Sequence, residues 1–168
     1  SIDTASLLKI ATNFDYLESL NLSGNQIAAA TIPDEISRLS HLRSLNISST
    51  RLEGFIPEGI ASLSKLEVLD MANNMLVGKL PEFGGFGKVT NINLSGNGFE
   101  GTVPAQYGSL SSLVELHLQS NKLDGTVPAG ICTLAETGTL KNLTINCATD
   151  ARFDGNQVEC SCCSTCSP

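Results

Sequence analysis

Six segments of this chain carry the same apolar spacing at nearly the same interval, and this repetition constrains the fold more than any other feature. Five are complete: Leu17-x-x-Leu20-x-Leu22-x-x-Asn25, Leu42-x-x-Leu45-x-Ile47-x-x-Thr50, Leu66-x-x-Leu69-x-Met71-x-x-Asn74, Val89-x-x-Ile92-x-Leu94-x-x-Asn97 and Leu113-x-x-Leu116-x-Leu118-x-x-Asn121. A sixth, Leu140-x-x-Leu143-x-Ile145, lacks the terminal Asn. The second apolar position falls at 20, 45, 69, 92, 116 and 143, so the steps are 25, 24, 23, 24 and 27 residues.

The last two apolar residues of each segment are two apart, which is the period of a strand with one buried face. One short strand per repeat, stacked on its neighbours at about 4.8 Å, gives a parallel sheet. The chain must then turn back. Asn25, Asn74, Asn97 and Asn121 carry both a donor and an acceptor to satisfy the backbone groups this turn leaves unpaired, so they are expected to form a structural Asn ladder. Thr50 has only a hydroxyl, so the ladder is expected to be weaker at the second repeat. Gly54, Gly78, Gly101 and Gly125 permit positive φ at the next bend. Pro33, Pro57, Pro81, Pro104 and Pro128 each open a short segment, and proline at a first helical position sacrifices no donor. Short helical or 3₁₀ pieces are therefore expected on the back, with Ile36, Leu39, Ile60 and Leu63 facing the core. The third repeat departs from this. Residues 82–88 carry three Gly and are one residue short, so irregular coil is expected there, with Phe83 and Phe86 taking over the packing.

These motifs resemble the leucine-rich repeat family. The Gly-x-apolar-Pro runs after the turn, such as Gly54-Phe55-Ile56-Pro57 and Gly101-Thr102-Val103-Pro104, resemble its plant-type subclass. The resemblance spans roughly residues 14–146. It implies an α/β solenoid with a parallel β-sheet on the concave face and short helical or 3₁₀ segments on the convex face. The organisation expected is an N-terminal edge or partial repeat over 1–16, five repeats over 17–139, and a final strand with a disulfide-rich cap over 140–168.

Composition agrees. The chain is 41% hydrophobic but only 16% charged, with no Trp, two Tyr and six Phe among 168 residues. Equivalent slots in a stacked core suit Leu, Ile and Val, whereas a large aromatic ring requires gaps in its neighbours. A net charge of −7 disfavours nucleic acid and anionic membranes as partners, because counterion release needs cations. No run of about 18 apolar residues suits a membrane span.

A solenoid exposes its core at both ends. At the N-terminus, apolar residues at 7, 8, 10 and 11 have helical spacing, with Ser1, Asp3 or Thr4 as caps. The absence of Cys there suggests that further repeats or a linker lie upstream. At the other end stand all six cysteines: Cys132, Cys147, Cys160, Cys162, Cys163 and Cys166. This tail resembles the cap of secreted or membrane-anchored leucine-rich repeat proteins of diatoms and related algae. The final Cys is often doubled there, and is followed here by Ser167-Pro168. Zinc would suit C-x-C and C-x-x-C spacings, but no His lies near, and disulfides are the reading adopted. Six Cys allow fifteen pairings, and strain disfavours the adjacent pair Cys162–Cys163.

Outward side chains of the strands form rows, one reading Asn21, Asn46, Asp70, Asn93, His117, Thr144, flanked by Glu115 and Asn142 in one neighbouring row and by Ser95, Gln119 and Asn146 in the other. The binding site expected is a shallow one at Asp70, Asn93, Glu115 and His117, against the alternative of a merely solvated sheet face. The sequons at Asn21, Asn46, Asn93 and Asn142 are possible N-glycosylation sites, and glycans at Asn46 and Asn93 would cover that same face. Catalysis has little support: Glu115 and His117 are a weak acid–base pair with no activated nucleophile, so no catalytic residue, metal or cofactor is assigned. The row Thr31, Phe55, Lys79, Thr102, Thr126 is a broken threonine ladder, interrupted for ice binding by its Phe and Lys. The function expected is an extracellular or cell-surface recognition module, a receptor ectodomain or inhibitor-like binder, whose partner is another protein or a cell-surface glycan. The alternative is a structural or assembly protein of a cell wall, matrix or larger complex.

Overall fold

The computed structural model describes residues 4–25, 30–146, 158–163 and 165–167. In chain order it contains α1 (Thr4–Ala11), β1 (Ser19–Asn21), β2 (Ala30–Thr31), β3 (Ser44–Asn46), β4 (Leu52–Gly54), β5 (Val68–Asp70), β6 (Met75–Lys79), β7 (Asn91–Asn93), β8 (Gly98–Thr102), β9 (Glu115–His117), β10 (Lys122–Thr126), α2 (Ala129–Glu136), β11 (Asn142–Asn146), β12 (Val158–Glu159) and β13 (Thr165–Ser167). Three 3₁₀ helices, Asp34–Arg38, Glu58–Ser62 and Ala105–Ser109, follow Pro33, Pro57 and Pro104. The solenoid is therefore the fold. Seven strands stack as β1-β3-β5-β7-β9-β11-β13, all in parallel register, with Leu20, Leu45, Leu69, Ile92, Leu116 and Leu143 aligned. This is the first sheet.

A second parallel sheet, β12-β10-β8-β6-β4-β2, was not foreseen. It forms from the residues between the Asn turn and the Pro, with Leu52, Leu76, Phe99 and Leu123 turned into the core. At its bend, Gly78 has φ +85°, and the ring of Phe55 from the preceding repeat lies across its bare backbone, where a Cβ would stand 2.5 Å from Phe55 Cδ1.

The core is one continuous column. Ile36, Leu39, Ile60 and Leu63 line it from the back, as their spacing indicates, and all are essentially fully buried. In the third repeat no helix forms. Phe83 and Phe86 fill the slot instead, stacked with centroids 4.6 Å apart, and Tyr107 of the next repeat stacks on Phe83 at 5.4 Å. Among the described residues the four largest fully buried side chains are thus Tyr107, Phe83, Phe86 and Phe99, so aromatics collect beside the irregular third repeat. Burial pushes the Tyr107 phenol well above its ordinary pKa, and its hydroxyl has no hydrogen-bond partner among the described residues.

The Asn ladder works by reaching backward. Asn97 donates to Met71 O at 3.0 Å in the preceding repeat and to Leu94 O and Ser95 O in its own, while its Oδ1 accepts from Leu76 N at 3.1 Å. Asn121 repeats this with Leu94 O and Phe99 N. Asn74 binds Ile47 O and accepts from Thr50 N and Leu52 N. Thr50, buried, donates to Ile47 O of its own repeat at 2.7 Å, and Asn74 Oδ1 lies 3.2 Å from the same hydroxyl. Asn25 departs from the expectation. It is exposed and donates to Leu22 O of its own repeat, because no earlier repeat among the described residues offers a carbonyl to bridge. The sixth segment has a rung after all: Asn146, 7% exposed, accepts from Asn121 N at 3.3 Å.

At the C-terminal end, Cys132 in α2 bonds Cys162, and Cys160 bonds Cys163. No cysteine among the described residues is free, and the adjacent pair is not joined. Cys147 and the side chain of Cys166 lie outside the described residues, as do Ser1 and Asp3.

Candidate functional site

Parallel register carries the second outward row across the first sheet, so Asn46, Asp70, Asn93, His117 and Thr144 stand side by side on successive strands. Two kinds of bond fix them. The first is local. Asn93 Oδ1 accepts from Ser95 N and from Ser95 Oγ at 2.7 Å, and Asn46 and Asn21 do the same with Ser48 and Ser23. Asp70 Oδ1 accepts from Ala72 N at 3.0 Å. These carbonyl or carboxylate oxygens close the strand-end turn, which leaves Asp70 Oδ2 and the amide nitrogens of Asn46 and Asn93 for other chemistry.

The second kind crosses repeats. Glu115 accepts from Asn91 Nδ2 at 2.6 Å on one side and from Asn142 Nδ2 at 3.2 Å on the other. His117 Nδ1 lies 2.8 Å from Thr144 Oγ1, and Thr144 donates to Gln119 Oε1 at 2.6 Å. The threonine has one proton, and Gln119 receives it. With Gln119 as the acceptor, His117 Nδ1 carries the proton of the other bond, and Nε2 faces Glu115 Oε2 at 3.8 Å. A neutral ring presents a lone pair there, beside a carboxylate oxygen. The two acceptors together suit a partner that brings N–H or O–H donors. Glu115, His117 and their partners form one bonded cluster across β7, β9 and β11. Asn93 and Asp70 stand one and two strands from β9 on the same face.

The expected open face is narrower than the sequence indicated. In the third row Ala72, Ser95 and Asn146 are buried, because the chain turns inward at that point. The sequon asparagines divide similarly: Asn21 and Asn142 are exposed, while Asn46 and Asn93 are half-buried. His41 sits at a turn, its ring 5.2 Å from Tyr16. Among the described residues no cluster of His, Cys, Asp or Glu has metal-ligand geometry, and no helix is long and apolar enough to cross a membrane.

Sequence reasoning missed the second sheet, and with it two hollows. One, of about 650 Å³, is lined by Phe55, Ile56, Glu58, Ala61, Lys79, Leu80, Pro81 and Glu82. A smaller one, of about 300 Å³, lies between Lys79, Glu100, Gly101, Lys122 and Asp124. The signal available was the break in the threonine row at Phe55 and Lys79, two residues that border the larger hollow.

Stacked parallel strands, an Asn ladder between turns and a polar row in register define a leucine-rich repeat solenoid. The chain belongs to that family: the model of a leucine-rich repeat region matches residues 3–165. None of the curated proteins is significantly similar in sequence. Among solved structures it is similar to the Arabidopsis receptor kinase HAESA in complex with the peptide hormone IDA and the co-receptor SERK1, at 28% identity and TM-score 0.72, over 84% of this chain and 23% of that one. It is similar to a plant ice-binding protein, at 28% identity and TM-score 0.69, over 88% of this chain and 44% of that one. The ectodomain of the receptor kinase SOBIR1 from Arabidopsis thaliana matches at 26% identity and TM-score 0.69, over 84% of this chain and 72% of that one. The chain thus spans less than half the length of the first two.

Proposed function

We propose that the chain is an extracellular recognition module of the plant-type leucine-rich repeat subclass, and that it binds another protein on the first sheet at Asp70, Asn93, Glu115 and His117. The observation that carries this reading is the bonded cluster around Glu115 and His117. Its side chains are held across three repeats before any ligand arrives, so binding loses little side-chain freedom. The peptide bound by HAESA, a structural relative, supports a protein or peptide ligand rather than a reaction substrate. The disulfides Cys132–Cys162 and Cys160–Cys163 support an oxidising, extracellular setting, with the tail as a cap of the diatom and algal kind. Glycans fit best at Asn21 and Asn142, which are exposed, although the amide of Asn142 also holds Glu115.

The test is capture of a partner from cell-surface extract on the immobilised chain, followed by titration of the purified partner. His117→Ala and Glu115→Gln should each weaken it by at least about tenfold, the loss of one buried polar contact. Equal affinity for wild type and both variants would overturn the reading.

A further inference from the structure

The larger hollow arises where the repeat is irregular. The first, second and fourth repeats place a five-residue 3₁₀ helix after the Pro, whereas the third, one residue short and glycine-rich, places none. Gly85 runs directly against the Ala61 carbonyl, an approach that no Cβ would allow. The hollow opens just ahead of that contact, between the 3₁₀ helix Glu58–Ser62 and the run Leu80-Pro81-Glu82.

Its apolar wall continues out onto the second sheet. Phe55 is 69% exposed, Met75 48% and Val77 40%, and beyond the N-terminal Phe14 and Tyr16 these are the exposed large apolar residues of the described chain. They are not scattered. Phe55 follows β4, and Met75 and Val77 lie on the adjoining β6. The Phe55 ring is seated on the bare backbone of Gly78, so it stands as a fixed wall rather than a loose side chain. Scattered apolar residues need no explanation, but a cluster beside a hollow does. The charges at the rim decide what fits. Glu58 and Glu82 face one cation, Lys79, and neither carboxylate is in an ion pair among the described residues.

We infer that the hollow beside Phe55 is a second docking site, which takes a segment of a partner protein presenting an apolar side chain next to a Lys or Arg. The apolar side chain enters between Phe55, Ile56 and Leu80, and the cation meets Glu58 and Glu82. Lys79 excludes a second cation on the opposite rim and so sets the direction of the segment. This site lies beside the second sheet and shares no residue with the cluster around Glu115 and His117, so the two are separate sites.

The experiment uses the whole chain as bait for a phage-displayed library of random twelve-residue peptides. Enriched peptides should share an aromatic or aliphatic residue adjacent to Lys or Arg. Their affinity should fall at least tenfold in Phe55→Asp and in Glu58→Lys/Glu82→Lys, and stay unchanged in His117→Ala. Phe55, Glu58 and Glu82 are all exposed, so the fold is retained, and circular dichroism checks it. Enrichment without the basic residue, or binding that survives Phe55→Asp, overturns the proposal. So does concentration-dependent dimerisation by sedimentation that Phe55→Asp abolishes, because the occupant is then a second copy. Loss of binding in His117→Ala alone would instead support only the first-sheet reading.

Discussion

The first and the last of the described repeats are packed in different ways. At the C-terminal end Leu140, Leu143, Ile145 and Val158 are all buried, closed over by β12, β13 and α2 and tied by the Cys132–Cys162 and Cys160–Cys163 bonds. At the N-terminal end Leu17, Leu20 and Leu22 are only partly buried, whereas their equivalents Leu42, Leu45 and Ile47 one repeat inward are fully buried. Phe14 and Tyr16 stand 59% and 81% exposed beside them. Each repeat is completed by its neighbour, so a residue's burial is decided by its place in the stack and not by its own motif.

The sharpest way to break this comparison is to truncate one equivalent residue at each end. Leu143→Ala should cost about 2–5 kcal/mol, the range for a buried leucine that leaves a cavity, and Leu20→Ala less than about 2 kcal/mol, because water already reaches the site. Chemical denaturation of both variants measures the gap. Equal losses would mean that the N-terminal end is closed after all. The disulfide Cys132–Cys162 comes next. It closes 30 residues, and the Cys132→Ser/Cys162→Ser double variant should lose about 2–4 kcal/mol under oxidising conditions. The shorter Cys160–Cys163 link, three residues apart, should matter less by the same loop-closure argument.

The contrast extends to the ladder. Asn97→Ala leaves the buried Leu76 N–H without its acceptor, at about 1–3 kcal/mol, and takes one of two donors from Met71 O and Leu94 O, which keep Asn74 and Asn121. Asn25→Ala removes one exposed local bond and should change the stability by less than about 1 kcal/mol. Thermal unfolding of the two variants tests whether the rung or merely the residue type matters.

Much of this was legible in the sequence, for a physical reason. Leu20, Leu45, Leu69, Ile92, Leu116 and Leu143 solve one packing problem six times, so the pattern repeats and can be counted. The shortened third repeat was legible too, because a missing residue and extra glycines leave only Phe83 and Phe86 to fill the slot. The second sheet was not. Strands such as Leu52–Gly54 and Gly98–Thr102 carry Gly and charge, with little intrinsic strand preference, and they form because stacking brings them into register. Asn146 was missed because the bond comes from a strand residue where the motif puts the Asn past the turn. The Asn91–Glu115–Asn142 bridge joins residues 24 and 27 apart, and it follows from the strand register once that is known.

The smallest expected effect separates the ends by pH. Near the N-terminal end, Glu35 pairs with Lys9 of α1 at 3.3 Å. The backbone N–H of Glu35 itself, and then the Lys9 hydrogen bond and charge, hold its carboxyl below the ordinary value of 4.5. A carboxyl lowered in the folded state contributes stability that is complete above that value and is lost as the pH falls through the folded pKa. Water surrounds this pair, with Lys9 68% exposed, so screening keeps the contribution small and salt should reduce it further. Glu35→Gln should therefore lower Tm slightly at pH 7 and not at all once the pH is below the folded pKa. Cys132→Ser/Cys162→Ser should lower Tm at both, since a disulfide does not titrate. Hydrogen exchange gives the finer reading: acid should loosen the amides of α1 and leave those of α2 and β11 protected. Loosening at both ends alike would place the acid-sensitive contact somewhere other than Lys9–Glu35.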